Sequence, residues 1–223
     1  MCNLYEYDMT PEVMQSLKDH FNLVGTGYLD VLRGRNGPQK VYPNYEAPVI
    51  RSLATPAGIV RDIAPMRWGF PAPPFYKIKA NVTNVRNTAS GYWKPYLKPG
   101  QRCLVPATAF SEPDRNTSKP VVFRWFARPG GELFYFAGIW REWEGDRGTK
   151  KAPNVGKHLL FSFLTTEPNG VVEPIHEKAM PVLIRTREEA EQWLEAPPEE
   201  ALQLQKPAPD DAIVLLPEAK KAA

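Results

Sequence analysis

The stretch ELFYFAGIWREW, residues 132–143, decides how this chain is read. It is dense in aromatic and branched residues and bounded by turn formers, the composition of a β-strand. Four other stretches share that character: RCLVP (102–106), KPVVFRWFA (119–127), HLLFSFLTT (158–166) and AMPVLIR (179–185). Around them, Thr10-Pro11 ahead of Glu12, Val13, Leu17 and Phe21 predicts a capped helix with proline at its first position. Thr186 with Glu189 forms a capping box ahead of EEAEQWLEA, a short late helix. Residues 22–60 carry Gly, Pro and Asn between brief apolar runs and predict turns and short strands. Residues 61–76, RDIAPMRWGFPAPPFY, are proline-dense and aromatic, which suits a surface loop. The class that follows is α+β, one domain over 2–205, mostly strand. Residues 206–223 then form a C-terminal strand at DDAIVLLP and a tail expected to be disordered.

The bulk numbers agree. The chain has 223 residues, 43% apolar and 24% charged, ordinary values for a globule with a sizeable core. No apolar run is long enough for a membrane span, and the N-terminus lacks a signal-peptide pattern. Two cysteines, Cys2 and Cys103, make no disulfide framework, so the cytoplasm is the expected compartment. Two cysteines and three histidines without ligand spacing predict no metal site, and no cofactor is expected. The net charge of +3 permits a polyanionic partner without demanding one.

Chemistry begins at MCNLY. Cys2 is either a small residue in a frayed terminus or, once Met1 is trimmed, a free α-amine and a thiol on one residue. Such an aminothiol traps aldehydes: the amine gives an imine, and the adjacent sulfur closes onto the imine carbon as a five-membered thiazolidine. In NVTNVRNTAS (81–90), an extended backbone puts Asn84 and Arg86 on one face, an amide beside a guanidinium, as a sugar-phosphate would need. The same residues also compose a polar turn. Glu112 follows an apolar strand, where burial would raise its pKa and suit it to proton transfer, although most such glutamates are simply solvated. His176 is the best acid–base candidate among the histidines. Trp68, in its proline-rich surroundings, is either a stacking platform for a splayed base or a plug over the core. Lys77, Lys79, Arg86, Lys94, Lys98 and Arg102, interleaved with Tyr76, Tyr92, Trp93 and Tyr96, form the basic-aromatic pattern of a single-strand groove.

In this order, Met-Cys, Trp68-Gly69, Asn84-x-Arg86-x-Thr88, Arg102-Cys-Leu-Val-Pro-Ala leading to Phe110-x-Glu112, and His176-x-x-Met180-Pro181 resemble the SOS response-associated peptidase (SRAP) family, from residue 2 to about 195. The resemblance implies a barrel-like β core with a few flanking helices and a DNA groove, capturing abasic sites in single-stranded DNA through a thiazolidine on the mature N-terminal cysteine. Carried over, Cys2 is the nucleophile, Asn84 holds the opened sugar, Glu112 transfers protons, and His176 assists ring opening and reversal. Trp68, Arg86, Asn44, Pro48, Asn3, Thr88 and Trp93 fall among the DNA contacts, Pro48 in a loop near the DNA. It also implies possible self-removal of Met1, lyase or reversal activity, a monomer, and nucleoid association when bound. The chain departs from the family's pattern at Asn3-Leu4, Asn87 and Pro113, losing a basic contact near the thiol. Two other classes stay open: a cysteine peptidase using Cys2, His176 and Glu112, and a non-enzymatic single-strand binder.

Overall fold

A computed structural model describes residues 2–24, 27–33, 37–75, 80–117 and 120–217. In chain order the strands are β1 (Leu4–Tyr7), β2 (Leu23–Val24), β3 (Gln39–Val41), β4 (Glu46–Thr55), β5 (Gly58–Trp68), β6 (Asn84–Val85), β7 (Arg102–Ala107), β8 (Ala109–Pro113), β9 (Phe123–Ala127), β10 (Phe134–Asp146), β11 (Val155–Thr166), β12 (Met180–Pro181), β13 (Leu183–Ile184) and β14 (Val214–Leu215). The helices are α1 (Pro11–Phe21), α2 (Gly27–Arg33), α3 (Arg187–Glu195) and α4 (Pro198–Ala201).

Antiparallel pairing runs β11-β10-β7-β4-β5, and a parallel contact between β5 and β11 (Arg67 with Leu160, Trp68 with Phe161) closes these five strands into a barrel. A second sheet, ordered β14-β9-β8-β1-β3, lies beside it. The alternation of β1 turns Tyr5 and Tyr7 inward. The Tyr5 ring meets Trp68 and Phe136 edge-on at 5.3 Å, joining the second sheet to the barrel core. The barrel interior is aromatic: Trp68, Phe136, Phe161 and Phe163 are all fully buried.

Close approach inside the barrel wall depends on Gly138, paired with Cys103 across β10 and β7. A Cβ at Gly138 would lie 2.7 Å from the Cys103 sulfur. Over this seam packs α3, whose Trp193 indole donates to the carbonyls of Cys103 and Gly138 at 2.9 and 3.1 Å. Thr186 caps α3, accepting from the Glu189 N–H at 3.2 Å, as the capping box predicts. Thr10 caps α1 in the same way, at 3.3 Å to the Val13 N–H. The apolar stripe of α1, Met14, Leu17 and Phe21, is buried, with Phe21 edge-on to Tyr135 at 5.7 Å.

Several expectations need correcting. Residues 61–68 are not loop; they belong to the eleven-residue strand β5. Its proline, Pro65, is tolerated because it sits opposite Pro48 of β4, so the two positions that lack an N–H face each other. Residues 22–60 hold the ten-residue β4 and the helix α2, not only short strands and turns. The 179–185 strand splits into β12 and β13, which pair with different partners, β11 and β10. Strand 119–127 begins at Phe123. In the segment expected to hold a C-terminal strand and tail, the Ala208 carbonyl accepts from Asn169 at 3.1 Å, Ile213 is buried, and β14 pairs with β9. The expected disordered end, from residue 218, lies outside the described residues.

Candidate active site and groove

The amino end is not frayed. Strand β1 is paired on both edges, Tyr5 with Val41 of β3 and with Phe110 of β8, and this ties down Cys2 and Asn3. Cys2 is fully buried. Its thiol lies 3.5 Å from the Leu4 carbonyl, to which it donates. Burial pushes the thiol well up from its ordinary pKa, and the Glu112 carboxylate pushes it further.

The register of β1 on β8, Leu4 opposite Ser111, brings Glu112 to the level of the first residues of the chain. Glu112 is fully buried. Desolvation raises its pKa to about 7, against the smaller opposing effect of positive charge that includes Arg115. His176 comes from the turn segment between β11 and β12, held by its own N–H on the Val172 carbonyl at 2.9 Å. Its Nδ1 lies 3.1 Å from the Ala179 carbonyl and 3.8 Å from a Glu112 carboxylate oxygen. A carbonyl can only accept, so Nδ1 carries the proton and Nε2 the lone pair. Desolvation also lowers the His176 pKa, keeping the ring neutral.

Asn84 reaches Cys2 from the other side. Strand β6 pairs parallel with β11, Asn84 beside Phe163, which fixes the direction of the Asn84 side chain. Its Nδ2 donates to the Cys2 carbonyl at 2.8 Å and to the Thr83 hydroxyl at 2.8 Å. The four residues singled out by motif, Cys2, Asn84, Glu112 and His176, thus meet from the start of β1, from β6, from β8 and from the segment after β11.

Beside them opens a cleft of about 580 Å³, lined in part by Phe75, Asn81, Thr83, Asn84, Arg86 and Trp93. Asn84 forms part of its wall, and Cys2 sits behind that wall. Arg86 is half exposed at the rim, paired with Glu167 at 2.9 Å. Gln205, which no motif marks, pins this rim: it donates to the carbonyls of Arg86 and Thr165 at 2.9 and 3.0 Å and accepts from Thr88 at 2.8 Å.

The remaining expected DNA contacts fall in different places. Asn3 is exposed and accepts from the Thr83 hydroxyl at 3.3 Å. Trp93 is buried, packed against Tyr92, with one side toward the cleft. Trp68 does not present a stacking face: Phe161 and Phe163 stack on it, Tyr5 meets its edge, and its indole donates to the Thr83 carbonyl at 3.0 Å. It is the core plug. Pro48 is not in a loop but buried within β4. Arg102 is not a groove cation: it is fully buried, donating to the carbonyls of Leu97 and Ala196. Lys77, Lys79 and Tyr76 lie outside the described residues. Asn44 takes a left-handed turn, φ 72°, and accepts from Arg147 at 2.9 Å. Arg147, which carries no sequence signature of its own, also donates to Asn81 at 2.8 Å and to the Gly69 carbonyl at 3.0 Å, tying the Trp68-Gly69 turn to the cleft wall.

Among the described residues no cluster of three or more His, Cys, Asp or Glu is placed to hold a metal ion, and no helix is long and apolar enough to cross a membrane.

Comparison with known proteins gives the family and the fold. Residues 1–221 match the family described as SOS response associated peptidase (SRAP). The chain is 28% identical over 163 residues to abasic site processing protein YoqW of Bacillus subtilis (strain 168), spanning 69% of this chain and 67% of that one. It is 29% identical over 168 residues to abasic site processing protein HMCES of Xenopus tropicalis, spanning 66% of this chain and half of that one. A crystal structure of a Bordetella bronchiseptica protein superposes with a TM-score of 0.70 at 23% identity, covering 97% of this chain and 100% of the other. A Bacteroides thetaiotaomicron protein gives a TM-score of 0.70 at 18% identity, covering 97% and 93%. These two likenesses concern the fold.

Proposed function

Because the chain belongs to the SOS response associated peptidase family, we propose that it processes abasic sites in single-stranded DNA by joining them covalently to a mature N-terminal Cys2. Hydrolysis of the Met1–Cys2 bond consumes one water and frees the α-amine. The amine adds to the aldehyde of the opened deoxyribose, and the carbinolamine loses one water to give an imine. The sulfur then bonds to the imine carbon while its proton passes to the nitrogen, closing the thiazolidine. From aldehyde to closed ring, one water is released and no charge is left behind.

The residues divide this work by their environments. A thiol pushed up by burial is protonated at neutral pH and needs a base as the C–S bond forms. Glu112, with a pKa of about 7, exists in both forms there: as the acid it protonates the departing hydroxyl of the carbinolamine, and as carboxylate it takes the thiol proton. Neutral His176 serves the sugar, moving the proton that opens the ring. Arg86 and Asn3 are the phosphate and polar contacts at the cleft mouth.

The observation that carries this reading is the hydrogen bond from Asn84, a cleft-wall residue, to the carbonyl of Cys2. It ties the residue that bears amine and thiol to the opening through which a sugar would arrive. The peptidase alternative fits less well, since a cysteine protease needs a depressed thiol pKa and this one is raised.

The test is incubation of the processed protein with an oligonucleotide carrying one abasic site, followed by denaturing electrophoresis and intact mass. Wild type is expected to give a denaturation-resistant adduct and Cys2→Ala none. Equal crosslinking by Cys2→Ala overturns the proposal, as does a mass retaining Met1. Salt-sensitive binding without adduct would instead identify a plain single-strand binder.

A further inference from the structure

Asn84 has two ends to its amide, and its neighbours decide which of them is left for a ligand. Both hydrogens of Nδ2 are spoken for, one by the Cys2 carbonyl and one by the Thr83 hydroxyl, each at 2.8 Å. A carbonyl has no proton to give, so the opposite orientation would set two acceptors against each other at Cys2. Thr83 can accept from Asn84 because its own proton goes elsewhere, to Asn3 Oδ1 at 3.3 Å. The result is a directed chain from the Asn84 amide through the Thr83 hydroxyl to Asn3. Its by-product is Asn84 Oδ1, buried and without a hydrogen-bond partner on a residue only 8% exposed. An orphaned buried acceptor is a cost to folding and asks for an explanation.

We propose that Thr83, with Asn3 behind it, is a positioning residue that fixes the amide of Asn84 so that the site offers a hydrogen-bond acceptor, selecting a substrate that brings a hydroxyl donor. Resting on the capture reading above, this assigns the complement on the substrate. An opened abasic deoxyribose has both phosphate-bearing oxygens esterified. Its one free hydroxyl is the oxygen released when the ring opens, and that O–H donates to Asn84 Oδ1. A donor amide at the same place would instead suit the ring oxygen of the closed form, which only accepts, the closed form's own hydroxyl lying on C1. Asn3, one of the positions at which the chain departs from the family's pattern, thereby acquires a role, since it takes the proton of the Thr83 hydroxyl and leaves that oxygen to accept from Asn84.

Thr83 also holds the barrel together, but through its backbone: its carbonyl accepts from the Trp68 indole and from the Phe163 N–H. Changing its side chain leaves those bonds available, so the hydroxyl can be tested separately.

The experiment compares adduct formation rates on two oligonucleotides, one with a natural abasic site and one with an acyclic aldehyde at the same position that lacks the free hydroxyl. Thr83→Val is expected to slow capture of the natural site about tenfold, the usual reach of one buried hydrogen bond, and Thr83→Ser to restore it. Asn3→Ala, at an exposed position where folding is not at risk, is expected to slow the natural site in the same direction. On the acyclic aldehyde, wild type and Thr83→Val should react alike within about twofold, because the hydroxyl that Thr83 serves is gone. Equal rates for wild type, Thr83→Val and Asn3→Ala on the natural site overturn the assignment. So does a loss of the same size on both oligonucleotides, which would mark Thr83 as a purely structural residue. A wild-type protein that forms no adduct with either oligonucleotide sinks the capture reading itself and this one with it.

Discussion

The side-chain amide of Asn84 donates to the backbone carbonyl of Cys2 at 2.8 Å, across a separation of 82 residues. Strand β6 is two residues long, so this bond and the parallel pairing with β11 are what orient it. Asn84→Ala leaves the Cys2 carbonyl without its donor and should destabilise the protein by about 1–2 kcal/mol. Asn84→Asp should be worse at neutral pH, because a carboxylate then faces that carbonyl. Chemical denaturation of the two variants at pH 5 and pH 8 checks this: the gap between them should widen at the higher pH. Both should also capture abasic DNA more slowly than wild type.

Glu112 makes a pH signature. Its pKa rises from the ordinary 4.5 to about 7 on folding, so the native state holds its proton more tightly than the unfolded chain. Stability from this group is therefore fully present below about pH 4.5 and falls as pH rises toward 7, by about 3 kcal/mol in all. Glu112→Gln should remove that decline and be the more stable protein at pH 8. His176 acts with the opposite sign: its lowered pKa gives stability above pH 6.5 that is lost as the solution is acidified. Thermal melts of Glu112→Gln between pH 5 and 8 should thus show stability rising with pH where wild type shows it falling. Adduct formation by the variant should drop by about 10²-fold, the usual scale for a lost general acid–base.

Trp68 separates a core role from a DNA role. Its ring is stacked within the barrel against Phe161 and Phe163. Trp68→Ala should cost about 3–5 kcal/mol of stability, and Trp68→Phe should retain most of the packing. Single-strand affinity of a still-folded Trp68→Phe, measured by fluorescence anisotropy, should stay within about twofold of wild type.

Gly138→Ala probes the barrel wall. The new Cβ would sit 2.7 Å from the Cys103 sulfur and 3.0 Å from a Val105 methyl. Overpacking of that kind costs about 1–3 kcal/mol. Cys103→Ala removes the nearer obstacle, so the double variant Gly138→Ala/Cys103→Ala should be more stable than the sum of the single effects. Strict additivity in urea denaturation would show that the strand pair relaxes by another route.

The barrel strands are legible in the sequence because their residues are aromatic and branched along nearly their whole length, as at 132–143 and 158–166; both faces are buried near the ring, and composition alone signals that. Strand β5 is hidden because Pro65 and the prolines beyond Gly69 imitate a loop, while its place in the barrel comes from pairing with β4 and β11, which local composition does not encode. Helix α2 is hidden by the glycines and polar residues around it. At the site, the chemically distinctive residues, Cys2, Asn84, Glu112 and His176, can be picked out by motif. Their supports cannot: Thr83, Arg147 and Gln205 act through hydrogen bonds that reach partners 80, 103 and 119 positions away. Trp68 and Arg102 pass for surface groups because an aromatic or a cation in a motif carries no mark of which side of the wall it occupies.

Barrel closure has a consequence for biosynthesis. The seam joins residues 67–68 to 160–161, and the opening strand finds its two partners at residues 39–41 and 109–111. Loops of that length close slowly, and the ring cannot shut while its last stave is still inside the ribosome. The amino end, synthesised first, must wait for His176 before it has its complete surroundings. On the reading proposed above, the four site residues therefore come together only after residue 176 has left the ribosome.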